Sequence, residues 1–405
     1  MYNLHLSAEQ LEFRDTIRGF ANDEIKPVTL KSDRLDAADR RLPMDVLDKA
    51  SQMGLRALAL PEELGGVGAD NLTCCIVVEE LAVGDSDVAA VLMETSALGR
   101  LLFQAMNQEQ RDRFLPKFLE DDRYHLALAE REPDSDTSLG LNYHRPVAGA
   151  RLKTIAVRDG DSFVINGAKE NVANAPIAKL IALQVQTDAG VSTILVPRDT
   201  VGLTVREQTE ARWYHGSSGE VALENCRVPA TNLLGAEGQG TLREQTGRHA
   251  PLFQALNLGI GRAAYEAALD YAQLRVQGGR PIVQHQAIGT KLADIAIRLE
   301  VARIAIWQAA WASDHPEAFA DRSLSDLPLT TIAEAFASEA IYRATKDSAE
   351  CFGAMGVMRD MPLQKYINDA RICLYSGDGA SDAKLRIAEA LAGYRRSSAP
   401  MLAAE

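Results

Sequence analysis

The chain has 405 residues, of which 46% are hydrophobic and 24% are charged, and its formal net charge is −13. This acidic balance disfavours a nucleic-acid-binding surface, which needs a basic face. The five cysteines are scattered without a CxxC spacing, which argues against a disulfide framework and against a zinc site. No uncharged apolar run reaches the ~20 residues that span a bilayer, and no signal peptide is visible. We therefore expect a cytoplasmic protein without a membrane span.

The first part of the chain, residues 1–123, carries helical periodicity. Phe13, Ile17 and Phe20 recur at helical spacing behind Ser7, and Ser7 is predicted to cap this helix together with Gln10. The glycine-rich stretch "LPEELGGVGAD" predicts a break between helices. These patterns predict an N-terminal α-helical domain.

The period changes in residues 124–233. The stretch "DGDSFVINGAK" alternates between apolar and polar residues and has turn residues at both ends. Further short segments of the same kind follow, including "KLIALQVQT", "STILVPRD" and "GEVALENCRVP". Short strands separated by turn signals predict a small β-barrel or sandwich.

Helical periodicity returns in residues 234–405. An apolar seam with steps of four and three residues comprises Ile288, Leu292, Ile295, Leu299, Ala302 and Ile306. This spacing is typical of a helix that packs along its length in a bundle. The whole chain thus has an α–β–α order.

Common catalytic signatures are absent: the sequence has no GxSxG, no HExxH and no P-loop. The stretch "GAEGQG" does not lie between a strand and a helix of a βαβ unit, so we interpret it as a loop. Near the C-terminus, "LYSGDGASDAK" combines turn chemistry with the start of a helical pattern. Such a turn either connects two helices or holds a reactive group.

Six segments together resemble the acyl-CoA dehydrogenase family, in the family's order and over residues 7 to 392. They are "LPEELGGVGAD", "LALAEREPDSD", "DGDSFVINGAKENVAN", "ENCRVPATNLLGAEGQG", "RVQGGRPIVQHQ" and "CFGAMGVMRDMPLQKYINDAR". The resemblance implies an α+β fold with an N-terminal α-helical domain, a middle β-barrel and a C-terminal four-helix bundle. It also implies bound FAD and an acyl thioester substrate, carried by coenzyme A or by an acyl carrier protein. The implied partners are an electron-transfer partner or oxygen, and further copies of the chain in a homotetramer or dimer.

The resemblance also assigns cofactor positions. Ala129 stands where the family has a threonine, Ala173 where it has the hydroxyl expected near flavin N5, and Arg275 matches the arginine that meets the FAD pyrophosphate. The cofactor-binding positions implied in full are Ala129, Ser135, Ala173, Arg275, Gln286, Glu350, Gly353 and Ala354. Ser135 and Gly377 correspond to substrate-binding positions.

The catalytic base departs from the family's pattern. The family's glutamate lies six residues after a basic residue that corresponds to Arg371, and this position holds Gly377. A minority of members place the base ten residues before a glycine that corresponds to Gly259, and this position holds His249. Asp378, one residue beyond Gly377, and His249 are the candidates for a replacement base. Asp378 could instead stabilise the turn, and His249 could be a structural histidine near a subunit contact.

Three functions follow from the resemblance. The first is a flavin-dependent oxidoreductase that acts on an acyl thioester with a relocated base or none. The second is a flavin monooxygenase of the same fold. The third is a non-catalytic protein that binds an acyl thioester or completes a heteromer.

Overall fold

A computed structural model of the chain describes residues 5–36, 40–133, 151–208, 215–240, 250–315, 317, 329–375 and 379–392. The chain divides into two compact units. The first, here called the helical unit, comprises residues 1–46, 69–90 and 248–392. The second, here called the sheet unit, comprises residues 47–68, 91–247 and 393–405.

The N-terminal helices are α1 (Ala8–Phe20), α2 (Lys26–Thr29), α3 (Met44–Gln52), α4 (Asn71–Gly84), α5 (Ser86–Ala105) and α6 (Gln108–Glu120). The predicted cap of α1 is confirmed: the Gln10 amide N–H donates to Ser7 Oγ at 3.1 Å, and the Ser7 amide N–H donates to Gln10 Oε1 at 3.0 Å. These two bonds satisfy main-chain donors that the helix cannot pair internally.

The C-terminal helices are α7 (Ala250–Leu274), α8 (Gln286–Asp314), α9 (Leu329–Cys351), α10 (Leu363–Tyr375) and α11 (Gly379–Ala392). The predicted seam of α8 is confirmed from Leu292 to Ile306, whose apolar members are all buried. Helix α4 packs closely against α7, because a Cβ atom at Gly259 would lie 2.4 Å from the Glu79 carbonyl oxygen. A glycine at this point therefore sets the distance between the two helices.

The sheet unit contains the strands β1 (His125–Ala129), β2 (Ile155–Asp159), β3 (Ser162–Ala173), β4 (Ala178–Thr187), β5 (Gly190–Pro197), β6 (Leu203–Glu207), β7 (Ser218–Pro229) and β8 (Leu233–Leu234). They form one eight-stranded sheet with the order β6-β7-β3-β2-β4-β5-β8, and β1 pairs with β4 in parallel. A two-stranded hairpin of β9 (Val276–Gln277) and β10 (Arg280–Pro281) belongs to the helical unit. The order of helices, sheet and helices agrees with the predicted α+β fold.

The two faces of the sheet have separate apolar cores. One core contains alternate residues of the strands, such as Phe163, Ile165 and Val172. The other contains Leu126, Leu180 and Leu195 of the sheet together with residues of α5 and α6. Both faces are covered, as expected for strands in which nearly every residue of β4 is buried.

Helix α5 is long and apolar enough to cross a membrane by length and composition. Two thirds of its most apolar window is nevertheless buried inside the structure. It also carries Asp87, Glu94 and Arg100. A core helix passes the same test of length and composition, so this feature is weak evidence for a membrane span.

Candidate active site

A glycine hairpin in the helical unit follows directly after α7 and begins with Arg275. Gly278 and Gly279 have φ angles of 59° and 78°, which a two-residue hairpin turn of type I′ requires at both positions. The Arg275 carbonyl accepts a 2.8 Å hydrogen bond from the Ile282 amide, which fixes the start of the hairpin. The Arg275 side chain is exposed, and among the described residues its guanidinium makes no ion pair.

The hairpin leads into the N-terminus of α8, which begins at Gln286. The preceding residue, His285, occupies the cap position, but its side chain makes no capping bond. Its Nε2 atom lies 2.9 Å from the Gln277 carbonyl oxygen instead. Gln286 is exposed. The Ile288 and Gly289 amides of this 29-residue helix bond to the His285 carbonyl, and no described side chain caps the helix. The partial positive charge of a helix N-terminus suits an anionic group.

Glu350, Gly353 and Ala354 lie at the C-terminal end of α9 and just after it, and all three are exposed. Glu350 forms an ion pair with Lys291 of α8. The hydrogen bond from Lys291 lowers the pKa of Glu350, so this carboxylate remains charged but is paired. Gly353 has a φ of 58°, and among the described residues other than its chain neighbours no atom lies within 4 Å of the position of a Cβ atom there.

The sheet unit holds Ala129 and Ala173, the two positions at which the family has hydroxyl residues. Ala129 is fully buried in the core of the sheet. Ala173 is partly exposed and lies directly opposite Ser218 in the antiparallel pairing of β3 and β7. The side chain at position 173 is thus on an accessible face, and the side chain at position 129 is not.

A buried ion pair fixes the chain just before Ser135. Lys169 Nζ lies 3.0 Å from Glu132 Oε1, and the two side chains are 0% and 1% exposed. Glu132 also accepts main-chain N–H bonds from Lys153 at 2.7 Å and Thr154 at 2.8 Å. Although burial opposes it, the charge of Lys169 and these N–H groups hold the pKa of Glu132 below its usual range.

Glu94 is a partly buried carboxylic acid on α5 that the sequence patterns did not single out. Burial, together with the negative charge of Glu130, raises the pKa of Glu94 to about 7. Glu130 is itself held by a 2.7 Å hydrogen bond from Gln184 Nε2. The one feature of the sequence that could have pointed to Glu94 is the presence of a glutamate on an otherwise apolar helix.

Helix α10, which precedes the Gly-Asp-Gly segment in the sequence, is anchored by buried charges. Lys365 Nζ lies 2.8 Å from Asp369 Oδ2 and 3.3 Å from Asp85 Oδ2. Arg40 Nη1 lies 2.6 Å from Asp369 Oδ1. Cys373 on the same helix is buried, and burial raises the pKa of its thiol well above the usual value. A reactive role for this thiol therefore has no support.

Four of the predicted site residues fall outside the described residues: His249, Asp378, Gly377 and Ser135. Their assignments stay predictions. Within the described ranges, no group of three or more histidine, cysteine, aspartate or glutamate residues could hold a metal ion.

Three family models match the chain in succession. The acyl-CoA dehydrogenase N-terminal domain matches residues 7–122, the middle domain matches residues 146–226, and the C-terminal domain matches residues 237–391. The matched order agrees with the order of helices, sheet and helices in the structure.

Relatives and solved structures agree with these matches. An acyl-CoA dehydrogenase of Bacillus subtilis (strain 168) is 31% identical over 387 residues, which cover 92% of this chain and 96% of that protein. The electron transferring flavoprotein structure from Acidaminococcus fermentans is similar in fold, with a TM-score of 0.83, 26% identity, and coverage of 96% of this chain and 99% of that chain. The prolyl acyl carrier protein oxidase AnaB has a TM-score of 0.81 at 24% identity, and the match covers 96% of this chain and all of that one.

Proposed function

This chain belongs to the acyl-CoA dehydrogenase family, whose members are FAD-dependent oxidoreductases, and we propose that it oxidises an acyl thioester with a proton acceptor other than the family's usual glutamate. One observation carries this proposal. Within the described residues the Arg275 guanidinium makes no ion pair, and it starts a glycine hairpin that precedes the N-terminus of α8. Guanidinium groups and helix N-termini are the groups that bind phosphates most readily in proteins.

The described residues fit FAD on two further counts. The charge of Glu350 would face an anionic cofactor unfavourably, but Lys291 pairs with it. The open space at Gly353 leaves room for a ligand to approach the main chain. We assign Arg275 and Gln286 to the pyrophosphate and Gly353 with Ala354 to close main-chain contact.

The reaction requires one group from the chain and one from the cofactor. Bound FAD supplies the acceptor for a hydride from the β-carbon. The chain supplies the base that removes the α-proton, which the thioester makes acidic. We propose Asp378 or His249 for this role. A histidine has an ordinary pKa of about 6.5, which suits a base near neutral pH. The buried pair of Lys365 and Asp369 holds the helix that precedes Asp378 in the sequence.

We also propose which molecule carries the acyl group and which partners the protein has. The similarity to the oxidase AnaB supports an acyl carrier protein as the carrier, and the B. subtilis relative supports coenzyme A. Electrons would pass to an electron-transfer partner or to oxygen. We propose a homo-oligomer, either a tetramer or a dimer, or a subunit of a heteromer, in the cytoplasm. We also retain the domain boundaries at residues 123 and 233, which the limits of the family matches support.

The test begins with the absorption spectrum of the purified protein. FAD dependence predicts a yellow protein, or one that becomes yellow when FAD is added. Anaerobic mixing with butyryl-coenzyme A, or with butyryl groups on a carrier protein, should bleach the flavin. NADH-driven oxygen uptake without such bleaching would favour the monooxygenase.

Two variants then test the base. D378N and H249A should each be compared with wild-type protein for the rate of bleaching, and loss of the base should lower this rate roughly 10²–10⁴-fold. If both variants keep the full rate, neither residue is the base. A colourless protein that takes up no FAD would refute the proposed function itself.

A further inference from the structure

The end of strand β3 brings two side chains together on one accessible face. Ala173 and Ser218 are directly paired across the antiparallel β3–β7 ladder. Side chains of such a pair lie on the same face of the sheet, with Cβ atoms ~4.5–5.5 Å apart. Both residues are partly exposed, whereas Val172, one residue earlier, is 2% exposed. The face that carries position 173 therefore also carries the Ser218 hydroxyl.

A β-bulge produces this arrangement. Lys169 pairs with Val221 and Val172 with Gly219, so three steps along β3 match two steps along β7. Asn171, inside the bulge, has a φ of 54°. The extra residue reverses the alternation of β3, and both Lys169 and Val172 are buried as a result. Without the bulge, position 173 would face the core with Lys169, whereas Ser218 owes its outward side to the alternation of β7, in which Gly219, Val221 and Leu223 are buried.

The end of the strand is held in place by hydrogen bonds. The Asn174 amide N–H donates to the Ser217 carbonyl at 2.7 Å. Asn174 Nδ2 donates to the Val91 carbonyl and to Thr95 Oγ1, both at 3.2 Å. The main chain next to Ser218 is thus fixed before any ligand binds. A hydrogen-bond donor that is already fixed in place binds a ligand more strongly, because it loses little conformational freedom on binding.

Within the described part of the chain the Ser218 hydroxyl makes no hydrogen bond, so it can donate one to a ligand. The neighbouring Ser217 hydroxyl, by contrast, is on a residue that is only 4% exposed. Ser217 therefore provides a matched control, with the same chemistry one residue away but without access to the face.

We propose that the Ser218 hydroxyl is the side-chain hydrogen-bond donor that this chain presents to the flavin ring of bound FAD, in the place where a hydroxyl at position 173 is missing. This inference rests on the proposed FAD dependence. The hydroxyl would stabilise the negative charge that the ring gains on reduction. In this proposal Ser218 raises the reduction potential of the bound FAD, and this effect is measurable without any substrate.

The experiment measures the two-electron reduction potential and the visible spectrum of FAD-loaded protein. We expect S218A to lower the equilibrium constant for reduction about three- to tenfold, because one hydrogen bond contributes about 0.5–1.5 kcal/mol. A tenfold change corresponds to about 30 mV, so the potential should become about 15–30 mV more negative. S217A should leave the potential unchanged. The double variant A173T/S218A should restore it, since the new hydroxyl lies on the same face.

Each contrary result has a distinct meaning. If FAD-loaded S218A has the wild-type potential and spectrum, or if S217A shifts the potential as much, the assignment of Ser218 is overturned while FAD dependence stands. If the double variant A173T/S218A keeps the lowered potential of S218A, a hydroxyl at position 173 does not replace the Ser218 hydroxyl. The assignment of Ser218 then also fails. A wild-type protein that takes up no FAD overturns both proposals.

Discussion

Removing Lys169 should destabilise the sheet unit strongly. The substitution Lys169→Met keeps the length of the side chain and removes the cation. It leaves Glu132 charged, 1% exposed and without its ion-pair partner. Removing one partner of a buried pair costs about 3–5 kcal/mol of unfolding free energy. Because Glu132 keeps two main-chain N–H bonds, from Lys153 and Thr154, we expect a cost near the lower limit, about 3 kcal/mol.

A double-mutant cycle separates the pair from the two residues. Glu132→Gln removes the negative charge and leaves the Lys169 ammonium buried with only neutral acceptors near it, namely the Glu130 carbonyl oxygen at 3.1 Å and the new amide oxygen. The double variant K169M/E132Q has no buried charge at this point. It should therefore lose less stability than the sum of the two single variants, by about 1–3 kcal/mol.

The measurement combines urea unfolding with hydrogen exchange of the β3 amides, because hydrogen exchange reports the local stability of the sheet even where unfolding is not a single two-state step. The control is the exposed pair of Arg206 and Glu220, whose side chains are 66% and 41% exposed and 2.8 Å apart. R206M should change the unfolding free energy by less than about 1 kcal/mol. A cost below about 1 kcal/mol for K169M, or strict additivity in the cycle, would refute the assigned role of the buried pair.

Three further variants test other parts of the structure. Burial and the charge of Glu130 raise the pKa of Glu94 to about 7, so its ionisation destabilises the fold as pH rises through that value. E94Q should therefore stabilise the protein at about pH 8.5 but not at about pH 5, and equal effects at both would contradict this. R275M should weaken FAD binding roughly 10–100-fold in a fluorescence titration, whereas an unchanged affinity would exclude Arg275 from the phosphate site. G259A should lower thermal stability by about 1–3 kcal/mol because its Cβ would lie 2.4 Å from the Glu79 carbonyl; an unchanged melting temperature would argue against close packing of α4 on α7.

Local patterns were sufficient to predict the α–β–α order, the cap of α1 and the buried seam of α8. The helices, the cap and the seam depend on residues three or four apart, which face the same side of one helix whatever the rest of the chain does, and the strands depend on alternation with a period of two residues. The resemblance of the motifs proposed Arg275, Gln286, Gly353 and Ala354 as cofactor positions. The structure places all four on exposed surface, and their roles stay predictions.

The remaining features of the site depend on contacts between residues far apart in the chain. Lys291 and Glu350 are 59 positions apart, so no local pattern in the sequence predicts their ion pair. The pKa of Glu94 depends on Glu130, which lies in a strand-end segment outside its own helix.

Strand β3 shows most directly which features a local sequence pattern cannot predict. The sequence determined that these residues form a strand, because apolar and polar residues alternate along it. The bulge at Asn171 reverses that alternation, and it places Ala173 opposite Ser218 on the accessible face. A bulge exists only in relation to a partner strand, and β7 lies some fifty residues further along the chain. The tertiary structure alone therefore decided which hydroxyl this face presents.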